Sequence, residues 1–210
     1  MNSKLTKFAL TAAIALALTL LACEEPTTLT DTRDKKNYKT VKIGEQVWMA
    51  ENLNFEAKGS KCGGTDIIDE GEDILYSIVE ENTVNCDKYG RLYNWETAVK
   101  ACPSGWKLPS KAEWDVLITT VGGEKTAGKY LKAKSGWNDN GNGEDKFGFA
   151  ALPGGYGSSS NNFRTVGDLG NWWSATESNG NYAIYLFNGG DGVRIDYDNR
   201  DSYSVRCIQN

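Results

Sequence analysis

Histidine does not occur anywhere in the 210-residue chain. Its absence removes Ser-His-Asp and Cys-His nucleophilic machinery and every His-ligated zinc site. Cys-x-x-Cys pairs are missing as well, so a four-cysteine zinc site lacks its usual spacing. No basic cluster stands out: 23 Lys and Arg face 28 Asp and Glu, for a net charge of −5. That balance argues against a nucleic-acid partner. Internal repeats and domain linkers after residue 38 are absent too.

The amino terminus has the layout of a secretory signal. Lys4 and Lys7 precede the uncharged, mostly apolar run from Phe8 to Ala22, which is too short for a comfortable membrane span. The run ends in Leu20-Leu21-Ala22-Cys23, which resembles the lipobox of bacterial lipoproteins. The resemblance implies that residues 1–22 are removed and that Cys23 becomes a lipidated first residue. The mature chain then has 188 residues (210 less 22) with 21 basic against 28 acidic groups, net −7. Its partner at that end is a membrane of the bacterial cell envelope, with the outer membrane favoured and the leaflet open. Residues 24–37, "EEPTTLTDTRDKKN", hold a single aliphatic side chain, Leu29. With Cys23 they read as a flexible tether of about 50 Å at full stretch, leaving 38–210 as one domain.

Cys62, Cys86, Cys102 and Cys207 are an even set downstream of a secretory signal, which reads as two disulfides of three possible pairings. Along the domain, Val41 and Ile43, then Gly44-Glu45, then Val47 and Met49 spell a β-hairpin. Residues 55–86 are glycine- and acid-rich and show no period; Asp66, Asp69, Glu70, Glu72 and Asp73 make them a solvated acidic loop. Two helices are well marked. Trp95, Ala98, Val99 and Cys102 recur at helical spacing behind a capping Asn94. Ser110 and Glu113 form an S-x-x-E capping box before the stripe Trp114, Leu117, Ile118, Val121. A third, short helix is expected around Ala127–Ala133. From Phe147 onward the pattern is strand and turn: "FGFAAL", "NWWSATE", "NYAIYLF", "GVRIDY" and "YSVRCIQ". Helices followed by a strand meander predict an α+β fold, two to three short helices packed on a compact antiparallel sheet.

The series "VWMAENLN", "YGRLYNWETAVKACPSGWKLPSKAEW", "GWNDNGNG…FGFAALPGGY", "NWWSATE" and "SVRCIQ" resembles the Fibrobacter succinogenes major paralogous domain of bacterial envelope lipoproteins. The likeness spans residues 38–210. Through "GWKLPSKAEW" and "VRC" it is also similar to the C-type-lectin-like fold of the formylglycine-generating-enzyme type. That resemblance implies pairing of the amino- and carboxy-terminal segments and a bridge from the first helix to the last strand, Cys102–Cys207. Cys62–Cys86 then closes the irregular loop. It brings no activity, and it leaves no cysteine for metal or redox chemistry.

Two stretches could hold a ligand. Asn138, Asn140, Asn142 and Gly143 match the first half of a calcium loop, with Asp139, Glu144 and Asp145 able to supply charge. The match ends at position twelve, where Phe149 stands in place of a bidentate glutamate. Asn and Gly equally suit the left-handed backbone of a plain connector. Calcium is thus the one cofactor these residues suggest. The second stretch is the set Trp172, Trp173, Tyr182, Tyr185, Asn188, Asp191, Arg194, Asp196, Tyr197, Asn199, Arg200 and Tyr203. Aromatic faces and short polar groups of this kind hold sugars or anchor proteins; one of the paired tryptophans is expected to point inward. The turns of these strands would lie together at one end. The reading is a non-catalytic envelope module for a glycan or protein ligand. The alternatives are an Asp/Glu-dependent glycoside hydrolase, with Asp191, Asp196 and Asp198 as the acids to test, and a purely structural envelope protein.

Overall fold

The computed structural model describes residues 27–64, 83–158, 163–178, 180–198 and 202–210. Residues 1–23, the acidic residues Asp66 to Asp73, and Asn199 and Arg200 lie outside the described residues. The expected hairpin forms: β2 (Asn37–Ile43) and β3 (Gln46–Met49) pair antiparallel across Gly44-Glu45, with Gly44 at φ +60°. Only a glycine-like backbone turns so tightly there at little cost.

The stretch expected to be a flexible tether, residues 24–37, is part of the fold from Thr27 onward. Thr28–Thr30 forms strand β1 on the outer edge of β2, in register Thr28↔Lys39 to Thr30↔Asn37. The cause is Asp31, which is fully buried although it sits in a polar run. Its carboxylate accepts from the Arg33 main chain at 3.0 Å and from the Arg33 guanidinium at 2.6–3.2 Å. Arg33 also donates to the Ala101 carbonyl at 2.7 Å. Burial alone would raise the Asp31 pKa, but these Arg33 contacts outweigh it and hold the carboxyl below its ordinary value.

Four helices are present among the described residues, one more than expected. Helix α1 (Thr83–Tyr89) emerges from the stretch read as irregular, burying Cys86 and Tyr89. Helix α2 (Trp95–Ala101) starts at Asn94, whose side chain accepts from Thr97 N at 2.9 Å. Helix α3 (Lys111–Thr120) starts with the full capping box of Ser110 and Glu113 and buries Trp114, Leu117 and Ile118. Helix α4 (Ala127–Leu131) is the short third helix of the sequence reading.

Among the described residues the strands form two five-stranded sheets rather than one. The first has the order β1-β2-β3-β12-β5, with β5 (Trp106–Lys107) and β12 (Ile208–Gln209). The second has the order β10-β9-β8-β11-β4. It contains β4 (Leu92–Tyr93), β8 (Leu169–Glu177), β9 (Asn181–Phe187), β10 (Arg194–Asp198) and β11 (Tyr203–Ser204). Pairing is antiparallel except at β11–β8. A small ribbon, β6 (Tyr156–Gly157) with β7 (Phe163–Arg164), lies beside them.

Two strand expectations fail for the same reason. "FGFAAL" makes only an isolated bridge, Lys132↔Ala151, and "YSVRCIQ" splits into β11 and β12. Between those two strands Val205, Arg206 and Cys207 are wholly buried. The Arg206 guanidinium donates to the Phe149 carbonyl, to Ala150 O at 3.5 Å and to Asn52 Oδ1 at 2.7 and 3.1 Å. Carbonyls that serve a buried guanidinium are unavailable to a strand ladder. Asn52 Oδ1 also accepts from Trp172 Nε1 at 2.8 Å, and Asn52 Nδ2 donates to Tyr89 O at 2.8 Å. Desolvation lowers the Arg206 pKa to about 9, so the group is charged at neutral pH.

Apolar packing surrounds this polar spine on two sides. One cluster is built on Trp48, Trp114 and Phe149, whose ring centroids lie 4.8–6.1 Å apart. The other holds Tyr93, Trp173, Tyr185 and Tyr203. Both Trp172 and Trp173 are buried, one in each cluster, because the second sheet is covered on both faces. The disulfides are Cys62–Cys86 and Cys102–Cys207, the latter joining the residue after α2 to the residue before β12.

Candidate functional site

The aromatic-polar set does not form one surface. Trp173, Tyr185 and Tyr203 are 1%, 4% and 0% exposed and belong to the core. Tyr185 donates to Asp198 Oδ2 at 2.6 Å, and burial pushes the Tyr203 hydroxyl far above its ordinary pKa. Asn188 and Asp191 lie at the β9–β10 turn, whereas Tyr182 and Tyr197 face each other at the opposite end of that hairpin. The expected gathering of turns at one end therefore fails.

What remains outside is compact. The register pairs Tyr197 with Tyr182 and places Arg194, Asp196 and Asp198 opposite Tyr185, Ala183 and Asn181. Side chains on a strand alternate between faces. The two tyrosines thus share one face, and Phe187, Arg194 and Asp196 share the other. The tyrosine rings pack against each other with centroids 4.2 Å apart and planes tilted by 32°, and the Tyr182 hydroxyl donates to that of Tyr197. This hydrogen bond raises the Tyr182 pKa. Tyr197 is 47% exposed and Phe187 40% exposed. Arg194 and Asp196 form an ion pair, and the Arg194 hydrogen bond holds the Asp196 carboxyl below its ordinary value.

A depression of about 200 Å³ opens on the Phe187–Arg194–Asp196 face, lined by Leu169, Phe187, Arg194, Asp196 and Asp198 among others, with Tyr197 at its edge and Tyr182 outside it. Helix α3 supplies a neighbour that sequence reasoning missed: Lys111 Nζ stands 5.9 Å over the Tyr182 ring and pairs with Asp115 at 2.8 Å. Phe187 was also missed. The alternation Asn181, Ala183, Tyr185, Phe187 could have placed it on the Tyr185 face, at the strand end where cover runs out.

The other stretch, 138–145, is a connector built from separate contacts. Asp139 and Asn140 adopt left-handed backbone, at φ +51° and +59°. Asn142 Oδ1 accepts from Trp137 N at 3.0 Å, and Asn138 Nδ2 donates to Asp168 Oδ1 at 3.1 Å. Asp139 Oδ2 accepts from Asn188 Nδ2 at 3.2 Å, Glu144 pairs with Lys129 at 3.0 Å, and Asp145 Oδ1 accepts from Ala150 N at 2.8 Å. Among the described residues no three Asp, Glu, Cys or His side chains gather as a metal would need. Its glycines allow close approach: a Cβ on Gly141 would fall 2.5 Å from Asn188 O, and one on Gly143 would fall 2.4 Å from Lys132 O. The cation beside this connector is Lys132. Its buried ammonium donates to Phe187 O at 3.1 Å and Gly190 O at 2.9 Å and lies 5.1 Å over Trp137. Burial lowers its pKa.

Residues 41–209 match the family model described as the Fibrobacter succinogenes major domain. The chain belongs to that family. No curated protein and no solved structure matches it significantly. This Fibrobacter succinogenes major domain contains the whole β9–β10 hairpin within the match, together with Lys111, Lys132 and the 138–145 connector. Strand β1 and the Asp31–Arg33 turn precede the match, yet they complete the first sheet of the domain.

Proposed function

We propose that the chain is a lipid-anchored, non-catalytic binding module of the bacterial cell envelope, and that its ligand is a glycan held on the outer end of the β9–β10 hairpin. The observation that carries this reading is the packed pair Tyr182–Tyr197, whose Tyr197 ring is exposed and whose Tyr182 ring has Lys111 over it, with the Arg194–Asp196 ion pair on the other face of the same strand end. An aromatic face packs against the C–H surface of a sugar ring, and Lys, Arg and Asp side chains can bond its hydroxyls. The depression on the other face of the hairpin, with Tyr197 at its edge and about 200 Å³ in volume, is smaller than the roughly 300–1,000 Å³ of pockets that enclose a whole small molecule. It suits one residue of a longer chain.

The fold class fits this use. Strand β12 lies between β3 and β5, so the terminal segments pair, and Cys102–Cys207 ties α2 to the last strand. Both features support a C-type-lectin-like arrangement. On this proposal residues 1–22 are a removed signal and Cys23 is lipidated, with the module on the cell envelope, the outer membrane as the favoured location and the leaflet open.

The test is a polysaccharide array probed with the detergent-solubilised full chain, followed by calorimetric titration of the best ligand. Tyr197→Ala should weaken binding about tenfold, the loss of roughly 1.4 kcal/mol of stacking, and Lys125→Ala should not. A ligand bound equally well by Tyr197→Ala, or none on the array, would overturn the assignment.

A further inference from the structure

The short link to the anchor has a geometric result. Thr27 is fixed on the first sheet: its carbonyl accepts from Thr40 N and from Thr40 Oγ1, each at 2.8 Å. Only Glu24, Glu25 and Pro26 separate it from Cys23. Four residue steps reach at most about 14 Å, of which the headgroup layer takes about 5–8 Å. The edge of β1 therefore has about two strand spacings or fewer of freedom above the lipid.

The chemistry of that edge agrees with its position. Residues 27–43 carry five basic side chains (Arg33, Lys35, Lys36, Lys39, Lys42) against Asp31 and Asp34, net +3, in a chain of net −5. With Glu24 and Glu25 included the balance is still +1. Lys35, Lys36, Lys39 and Lys42 are all exposed; Lys42 lines the groove beside β1, while Lys36 and Lys39 border a separate depression on the other side of β2. A groove of about 560 Å³ runs beside β1, lined by Thr27, Thr28, Thr30, Lys42, Trp106 and Gln209 among others. Hydroxyls, a lysine and a half-exposed indole are the residue types that settle at a headgroup boundary. Basic side chains there attract anionic lipid.

We infer that the β1 edge and its groove form a membrane-facing surface that lies on the headgroups of the bilayer anchoring Cys23. The domain is thereby held in one orientation rather than free on a long tether. This rests on lipidation of Cys23, and the experiment separates the two. The full chain is reconstituted in phosphatidylethanolamine vesicles with and without phosphatidylglycerol, and its acylation is read by mass and by flotation against Cys23→Ser. Nitroxide labels are placed at Thr28→Cys and Lys42→Cys, with Lys125→Cys and Lys134→Cys as controls. Gln209→Cys repeats the reading should the Thr28 variant loosen β1. On phosphatidylglycerol vesicles the groove labels should lose at least threefold in accessibility to a water-soluble nickel chelate, and the controls should not. A chain that floats with all labels equally accessible would keep the anchor and overturn the orientation. A chain that neither floats nor carries acyl groups would overturn both.

Discussion

Replacing Asn52 by Ala should be among the most damaging single changes outside the apolar core. Asn52 Oδ1 is the shared acceptor for Trp172 Nε1 at 2.8 Å and for Arg206 at 2.7 and 3.1 Å. The whole cluster is buried, with Asn52 7% exposed, Trp172 1% and Arg206 0%. Truncation leaves an indole N–H and the Arg206 Nε without an acceptor, and the Tyr89 carbonyl without its donor. Each buried polar group stranded in this way costs about 1–3 kcal/mol. Removing the support of a buried charge costs about 3–5 kcal/mol. The expected loss is about 4 kcal/mol, roughly a quarter or more of the stability of a typical domain. Arg206→Met removes the charge together with its demands and should cost about 2 kcal/mol or less. The double variant should then be less damaged than the two losses added, by about 2 kcal/mol. Urea unfolding at pH 7 followed by tryptophan fluorescence, with disulfides intact, measures all three. An Asn52→Ala loss under about 1 kcal/mol, or strict additivity, would refute the account of Asn52 as the acceptor that makes a buried guanidinium tolerable.

The two disulfides should differ in worth. Cys102–Cys207 closes a separation of 105 residues and Cys62–Cys86 one of 24, so serine pairs should cost about 4–5 and about 3 kcal/mol in the chain-entropy model. The reverse order in chemical denaturation would contradict it. Gly143→Ala drives a Cβ into Lys132 O and Cβ at 2.4–2.5 Å and should cost about 1–3 kcal/mol. Gly189→Ala, which meets nothing within 4 Å, is the control, and equal melting points would refute the close-approach argument. Acid should weaken the domain through Asp31 and Glu113. Burial favours raising both pKa values, but Arg33 on one, and Lys107 and Ser110 on the other, hold them below 3.8 and 4.5. Lowered folded-state values mean stability that is complete above those figures and lost as pH falls through the lower folded ones. Asp31→Asn and Glu113→Gln should each flatten the acid limb of a melting-point titration, and an unchanged limb would exclude them. Millimolar calcium should leave the melting midpoint where a chelator leaves it. A rise abolished by Asp139→Ala, Glu144→Ala and Asp145→Ala together would restore the metal reading of the connector.

Local chemistry was readable wherever it acts over a few residues. Ser110 with Glu113, Asn94 and Gly44 each sit in the structure where their side chains or backbone freedom place them. Strands β8, β9 and β10 lie within two residues of where "NWWSATE", "NYAIYLF" and "GVRIDY" put them, although β8 and β9 bury consecutive residues instead of alternating. What could not be read depends on partners far along the chain. Asp31 looks like part of a solvated tether until Arg33 and Ala101 fold over it. Phe149 and Ala150 look like a strand until Arg206, more than 50 residues later, takes their carbonyls. The candidate surface suffered in the same way. Alternation separates Tyr182 and Tyr197 from Tyr185, but nothing in their spacing says that both faces of the second sheet are covered. Four of the twelve aromatic and polar candidates, Trp172, Trp173, Tyr185 and Tyr203, therefore turned out to be core.

Strands β11 and β12 are each interior to their sheets, β11 between β8 and β4 and β12 between β3 and β5. Residues 203–209 are thus the seam on which both halves of the molecule close. A chain emerging vectorially, from a ribosome or through a translocation pore, holds every helix and every other strand before this seam arrives. It can form hairpins such as β2–β3 and β8–β9, but neither sheet is whole and the Asn52 acceptor has no guanidinium to serve. Completion of the fold is in this way made conditional on delivery of its last strand pair, and a chain cut short of Tyr203 would be left with two open sheets for proteases to find.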